Sequence, residues 1–181
     1  MATQKQNTDR ILVLGTSGSG KTTVAKEVAQ ILDITHVEFD SYRHGPNWTE
    51  TPDAIFREQL SQALRGETWV ADGNYSVARD VVWPRATTII WLDYSIHIVM
   101  WRLFWRIMRR GILREELWNG NREKFWWHFV TRQSLFLWVL KTHGRPRKTL
   151  PAAFAQAEPA HLEVIHLRSP TSTREWVADL G

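Results

Sequence analysis

The chain has 181 residues, 43% hydrophobic and 23% charged, a balance that fits one globular domain and argues against disorder. It has no cysteine, which excludes a disulfide framework and a thiolate zinc site, and no apolar run reaches the roughly 18 residues that a membrane-spanning helix needs. The formal net charge of +4 is uneven: residues 102–148 hold twelve basic and three acidic residues, a net +9, which leaves −5 for the remainder.

The first ten residues are polar and lack the apolar core of a signal peptide, so a cytoplasmic protein is expected. Residues 10–14, Arg-Ile-Leu-Val-Leu, read as a buried strand, and residues 23–32 have helical spacing. Between them, residues 15–22 (Gly-Thr-Ser-Gly-Ser-Gly-Lys-Thr) match G-x-x-x-x-G-K-[ST] in full, in the strand-to-helix context that gives the pattern meaning. Glycines let successive backbone N–H groups converge on phosphate oxygens, and the helix start adds its own free N–H groups and positive dipole end. The expected triphosphate site is therefore Gly15, Ser17, Gly18, Ser19, Gly20, Lys21, Thr22 and Thr23. Lys21 supplies charge to the terminal phosphates and Thr22 a hydroxyl for Mg²⁺.

Residues 35–40 alternate apolar and polar and predict a second strand ending at Asp40. Residues 41–52 have loop chemistry. A helix then runs to Gly66, with Thr51 able to cap it, Pro52 in its first turn, and Ile55, Phe56, Leu60 and Leu64 at helical spacing. Residues 68–72 predict a third strand ending at Asp72, residues 76–83 a helical or irregular piece, and residues 86–93 a fourth strand, apolar enough to be buried on both faces. Strands alternating with helices argue for a parallel, doubly wound sheet.

From Ser95 the pattern turns helical. Trp101, Trp105, Met108 and Ile112 share one helical face, with Arg102, Arg106 and Arg109 in a stripe beside it and Arg110 further round. A second helix is expected from about 121 to 141, with Phe125, Phe129, Phe136, Arg122 and Arg132 on one face. An arginine on an apolar face needs a partner, either an acid or a bound phosphate. Residues 144–148 break the pattern, a short helix ends near Ala157, residues 161–167 predict a fifth strand and residues 172–180 a closing helix. Most of the eleven tryptophans are expected in the core.

Phosphoryl transfer needs a phosphate cradle, a metal, cations on the moving group and something to orient the acceptor. Asp40 and Asp72, both at strand ends, are candidates to hydrogen-bond an acceptor hydroxyl and to support Mg²⁺; Asp93 is a weaker one. The expected catalytic set is Lys21, Asp40, Arg106 and Arg109, and the expected metal pair Thr22 and Asp72. Asp40, Tyr42, Trp48, Arg122 and Arg132 are candidates for the acceptor pocket. His36, His44 and His128 suggest nothing definite.

The phosphate loop, Thr35-His36-Val37-Glu38-Phe39-Asp40 with Pro46-Asn47-Trp48, Trp69-Val70-Ala71-Asp72-Gly73-Asn74-Tyr75, and Leu117-Trp118-Asn119-Gly120-Asn121-Arg122-Glu123 resemble the adenylate-kinase-related P-loop proteins of the FlaR, or DNA topology modulation, type. The resemblance spans nearly the whole chain. It implies a three-layer α/β P-loop NTPase fold with a five-stranded parallel sheet in the order 2-3-1-4-5, like that of nucleoside monophosphate kinases, in a single domain covering residues 1–181. It also implies an arginine-rich lid at about residues 95–157, with Arg168, after strand five, near the adenine. Adenylate kinases carry Pro-Arg shortly after the Asp-Gly of strand three, where this chain has Asn74-Tyr75-Ser76, so the resemblance does not carry AMP over as the acceptor. Asp40 resembles instead the strand-two aspartate of shikimate- and gluconate-type kinases, which phosphorylate a hydroxyl.

The expected function is an ATP- and Mg²⁺-dependent phosphotransferase acting on a nucleotide or a hydroxyl-bearing metabolite. The alternative is an ATP-binding regulatory protein whose basic segment contacts DNA.

Overall fold

The computed structural model describes residues 9–113, 119, 135–156 and 162–181. At its centre is an all-parallel sheet of β1 (Arg10–Gly15), β2 (His36–Glu38), β3 (Trp69–Asp72), β4 (Thr88–Leu92) and β5 (Glu163–Leu167) in the order β2-β3-β1-β4-β5. The expected architecture and strand order are those observed. Around it lie α1 (Lys21–Leu32), α2 (Phe39–Arg43), α3 (Asp53–Ala63), α4 (Arg79–Val82), α5 (Ile96–Leu113), α6 (Leu135–Thr142), α7 (Arg145–Gln156) and α8 (Pro170–Ala178). Among the described residues no helix is long and apolar enough to cross a membrane.

β1 is the middle strand, and its side chains alternate between two cores. Ile11 and Val13 enter the core under α1, α5 and α8, whereas Leu12 and Leu14 enter the core under α3 and α4. β4 repeats this, with Ile90 and Leu92 on the first side and Ile89 and Trp91 on the second. Such two-sided burial is why these strands read as continuous apolar runs, and each fully buried aliphatic side chain contributes roughly 1.5–3 kcal/mol. In the register, Val13 and Glu38 both flank Asp72, and Gly15 flanks Leu92, so the phosphate loop and Asp72 leave the sheet at its carboxyl end.

Several expected boundaries are corrected. β2 stops at Glu38, because only three residues of this edge strand pair with β3; Phe39 begins α2, so Asp40 stands in a helical turn and not at a strand end. Ser41 Oγ donates to Glu38 O at 2.7 Å, closing that turn. Thr51 does not cap α3: its hydroxyl donates to Tyr42 O at 2.7 Å. The break expected at residues 144–148 is narrower, since α7 starts at Arg145 with Pro146 in its first turn, where a missing N–H costs nothing. The closing helix starts two residues early, at Pro170, capped by Ser169 and Ser172.

The aromatic face of α5 is also reassigned. Val99, Leu103 and Ile107 are its buried stripe, while Trp101, Trp105 and Ile112 face outward. Among the eight described tryptophans, Trp69, Trp83 and Trp91 are buried and Trp176 packs partly buried against the first core, whereas Trp48, Trp101, Trp105 and Trp138 are exposed. Trp118, Trp126 and Trp127 lie outside the described residues, as do Phe125, Phe129, His128, most of the expected 121–141 helix, and Ala157 and His161.

Candidate functional site

The phosphate loop runs from the end of β1 into α1. Gly20, immediately before Lys21, has φ 91°, in the left-handed region where a β-carbon is strained. A β-carbon there would also meet the Arg102 guanidinium at 2.9 Å. α1 begins with no side-chain cap and no acidic residue in its first turn. By contrast, α8 begins with a full capping box. The first turn of α1 thus keeps its N–H groups and positive dipole end for an anion. Lys21 makes no ion pair among the described residues. Ser19 is turned inward: its side chain is buried and its N–H donates to Thr16 O at 3.1 Å. Thr23 is exposed.

Asp72, only 1% exposed, joins two elements to this loop. Its Oδ2 accepts the Thr22 hydroxyl proton at 2.7 Å, and its Oδ1 lies 2.7 Å from His36 Nε2 on β2. Because Thr22 gives its proton to Asp72, the lone pairs of its oxygen remain for a cation, which is what a metal-ligating hydroxyl requires. His36 was missed by sequence reasoning. Its signal lies in the register, which sets β2 beside β3, and not in any local motif.

α5 closes the loop from the other side. Arg102 NH1 donates to Ser19 O at 2.7 Å and its guanidinium stands over the Tyr94 ring at 5.1 Å. One turn on, Arg106 NH2 donates to Ser17 Oγ at 3.2 Å. Arg109 is exposed a turn further out. Sequence reasoning placed Arg102 in the stripe but gave it no role; the structure makes it the arginine that grips the loop backbone.

Across β3 from the loop, a second cluster surrounds Asp40. Tyr75 OH donates to Asp40 Oδ1 at 2.6 Å. Burial, followed by the neighbouring Asp40 charge, pushes the Tyr75 phenol far above its ordinary value, so it stays a donor at any working pH. Arg43 ties the segment after Asp40, donating to Thr51 O at 2.9 Å, Asp53 at 2.6 Å and Glu50 at 3.0 Å. The hydrogen bond to Asp53 is the main reason its guanidinium is held above its usual value. Asn119 Nδ2 reaches this segment too, donating to His44 O at 2.6 Å.

Gly73 explains why this side is close-packed. At φ 156° its missing β-carbon would lie 2.5 Å from the Phe39 ring, so only glycine lets α2 approach the end of β3. Beside it is a small, partly open recess lined by Leu14, Phe39, Gly73, Asn74, Tyr75 and Trp83, with Arg79 at its side.

The remaining candidates are placed as follows. Tyr42 packs partly buried against the α3-side core, and Trp48, 40% exposed and edge-on to His44, does not line the recess. Asp93 is engaged by an ion pair with Arg147 Nε at 2.7 Å and by a hydrogen bond with His166 Nε2 at 3.0 Å. Arg168 is exposed just after β5. Arg122 and Arg132 lie outside the described residues.

By sequence, the chain matches no protein-family profile and no curated protein. By structure it is similar to small-molecule kinases. A gluconokinase from Sinorhizobium meliloti 1021 superposes with TM-score 0.53 at 18% identity, covering 97% of this chain and 93% of that one. A shikimate kinase from Acinetobacter baumannii in complex with shikimate gives TM-score 0.53 at 17% identity, covering 97% and 92%. A shikimate kinase from Aquifex aeolicus gives TM-score 0.53 at 16% identity, covering 94% and 92%. At these identities the likeness establishes the fold: this chain has the P-loop kinase fold of those proteins.

Proposed function

We propose that the chain is an ATP- and Mg²⁺-dependent phosphotransferase that moves the terminal phosphoryl group of ATP to a hydroxyl of a small molecule. The observation that carries this reading is the convergence, at the carboxyl ends of β1, β2 and β3, of an uncapped phosphate loop, the Thr22–Asp72 contact and the Asp40–Tyr75 pair. The residues present fit a magnesium nucleotide: the α1 start offers free N–H donors, Lys21 an ammonium with no ion pair among the described residues, and Thr22 a hydroxyl oxygen with lone pairs to share. Bound there, magnesium-ATP would supply the transferable phosphoryl group and neutralise much of its charge.

Lys21 and the loop amides hold the terminal phosphates. Asp72 orients the Thr22 hydroxyl from beneath, itself steadied by His36. Arg102 keeps the loop in shape through Ser19 O, while Arg106 and Arg109 reach from α5 towards the moving group as part of a lid-like segment at residues 95–157. Asp40 accepts the acceptor's hydroxyl proton on Oδ2, because its Oδ1 is occupied by Tyr75. That division of labour suits a hydroxyl nucleophile better than a phosphate one, and the small kinases with the same fold support it. Arg102 and Arg106 are turned to the loop and not outward together, which speaks for a phosphate ligand over a DNA surface.

The test is ADP release by the purified full chain with Mg²⁺-ATP over a panel of polyols, hydroxy acids and nucleoside monophosphates. Release stimulated by a hydroxyl compound is expected. Release stimulated only by nucleoside monophosphates, or salt-sensitive DNA binding without any stimulated release, would contradict the reading.

A further inference from the structure

α5 and α6 bury their inner stripes in one core: Val99, Leu103 and Ile107 from the first, and Val139 from the second, with Leu135 and Phe136 packed partly buried against it. The two helices also pack on each other, so their outer faces look away from the sheet on the same side. On those faces Trp101, Trp105, Ile112, Leu137, Trp138 and Leu140 stand between 43% and 72% exposed. Trp101 and Trp105 meet edge to face with 5.6 Å between ring centroids, so the two indoles form one surface. α6 is apolar all round from Leu135 to Leu140, a composition normal for a helix covered on every side, yet only Val139 is buried. Single exposed apolar side chains are ordinary; three indoles and three large aliphatics on two adjoining helices mark a surface that meets a partner.

The charge on these helices has one sign. α5, α6 and the following α7 contain eight arginines and lysines and no aspartate or glutamate. Residues 102–148 as a whole stay strongly positive with their three glutamates counted. Lys141 is exposed on α6 one turn from Leu137 and Trp138, and Arg145 and Lys148 are exposed at the start of α7. The partner is therefore apolar at the contact and anionic around it.

We propose that the outer face of α5 and α6 docks on an anionic lipid bilayer, with the indoles and aliphatics at headgroup depth and the lysines and arginines against the lipid phosphates. Tryptophan and a cationic surround are what an interfacial helix uses to lie on a membrane. The face lies on the bilayer and does not cross it, since no described helix is long and apolar enough to do so. A second copy of the chain fits less well, because a two-fold interface sets the same patch against itself and brings cations to cations. Nucleic acid also fits less well: Ile112, Leu137 and Leu140 have no ring on which a base could stack, and Arg102 and Arg106 are turned to the phosphate loop. Docking by the outer face leaves those two arginines in place. The inference does not rest on the phosphotransferase reading.

The test uses the full chain and needs no turnover. Co-sedimentation is measured with vesicles of phosphatidylcholine alone and of an equal mixture with phosphatidylglycerol. The proteins are the unaltered chain, Trp101→Ser with Trp138→Ser, and Lys141→Gln with Lys148→Gln. Expected is binding to the mixed vesicles that weakens as salt is raised, and little or none to phosphatidylcholine. The tryptophan pair should lose roughly 10-fold or more in affinity, and the lysine pair about fivefold for each charge removed. Phosphatidylcholine brominated on its acyl chains, placed in the mixed vesicles, should quench the indole emission of the unaltered chain and quench it less in the tryptophan pair. The quenching of the unaltered chain stands whether or not a variant folds.

No binding to the mixed vesicles at low salt overturns the proposal. So does binding without quenching that the tryptophan pair leaves intact, which is adsorption by charge alone. A dimer in light scattering that the tryptophan pair dissociates, or oligonucleotide binding that the same pair abolishes, with no vesicle binding in either case, assigns the face to a second copy or to nucleic acid and overturns it as well.

Discussion

The two sides of β3 are built on different principles. On the β1 side the phosphate loop is shaped by backbone: a left-handed glycine at position 20, a helix start without a cap, and a strand running straight into both. On the β2 side the cluster around Asp40 is shaped by side chains that meet across the chain: Tyr75 on Asp40, Arg43 on Glu50 and Asp53, Phe39 against Gly73. On the proposed function, the first design would bind what every triphosphate has in common, and the second, which can be rewired residue by residue, is where an acceptor would be chosen.

If that division is right, damage on the two sides should differ in kind. The largest effect is expected from Lys21→Met, which removes the cation of the loop: kcat/KM for transfer should fall about 10³-fold, with a smaller loss of ATP affinity, measured by ADP release and by calorimetry. Asp40→Asn should lower kcat by about 10²- to 10³-fold while leaving ATP affinity intact, because its neighbours lie on the acceptor side. Asp72→Asn sits between the two regions, and should weaken Mg²⁺ dependence about 10- to 100-fold, read from the metal concentration needed for half-maximal rate.

Gly73→Ala tests the packing of the acceptor side. A β-carbon 2.5 Å from the Phe39 ring, at a φ that side chains rarely adopt, should cost about 2 kcal/mol or more in urea unfolding. The smallest effect concerns His143, buried in the turn between α6 and α7 and held below its ordinary pKa of 6.5 by burial first and the Arg147 charge second. A depressed folded value means that the unfolded chain takes up the proton first. Stability should therefore be full above pH 6.5 and decline as pH falls below it, and His143→Leu should flatten that decline.

The same division explains what could be read without a structure. Residues 15–22 announce their conformation because each glycine and the Lys-Thr pair answer a local backbone demand. The strand order is legible for a related reason, since Ile11 to Leu14 and Ile89 to Leu92 must be buried on both faces. Asp40 was recognised as a residue worth attention but placed at the end of a strand, because nothing local reveals that β2 loses its partner after Glu38. His36 was passed over because its meaning depends on what lies beside it, Asp72 at 2.7 Å. The tryptophans misled for a physical reason as well. Large area favours burial, but on α5 the stripe of Val99, Leu103 and Ile107 packs against the loop and core, which turns Trp101 and Trp105 outward.

The central claim is that Asp40 and the phosphate loop serve one reaction from opposite sides of β3. The direct measurement is acceptor-stimulated ADP release set beside ATP affinity in the unaltered chain, Lys21→Met and Asp40→Asn. The account predicts that both variants lose stimulated release, that Lys21→Met also weakens nucleotide binding, and that Asp40→Asn binds ATP as well as the unaltered chain does. Stimulated release that survives Asp40→Asn undiminished would contradict it.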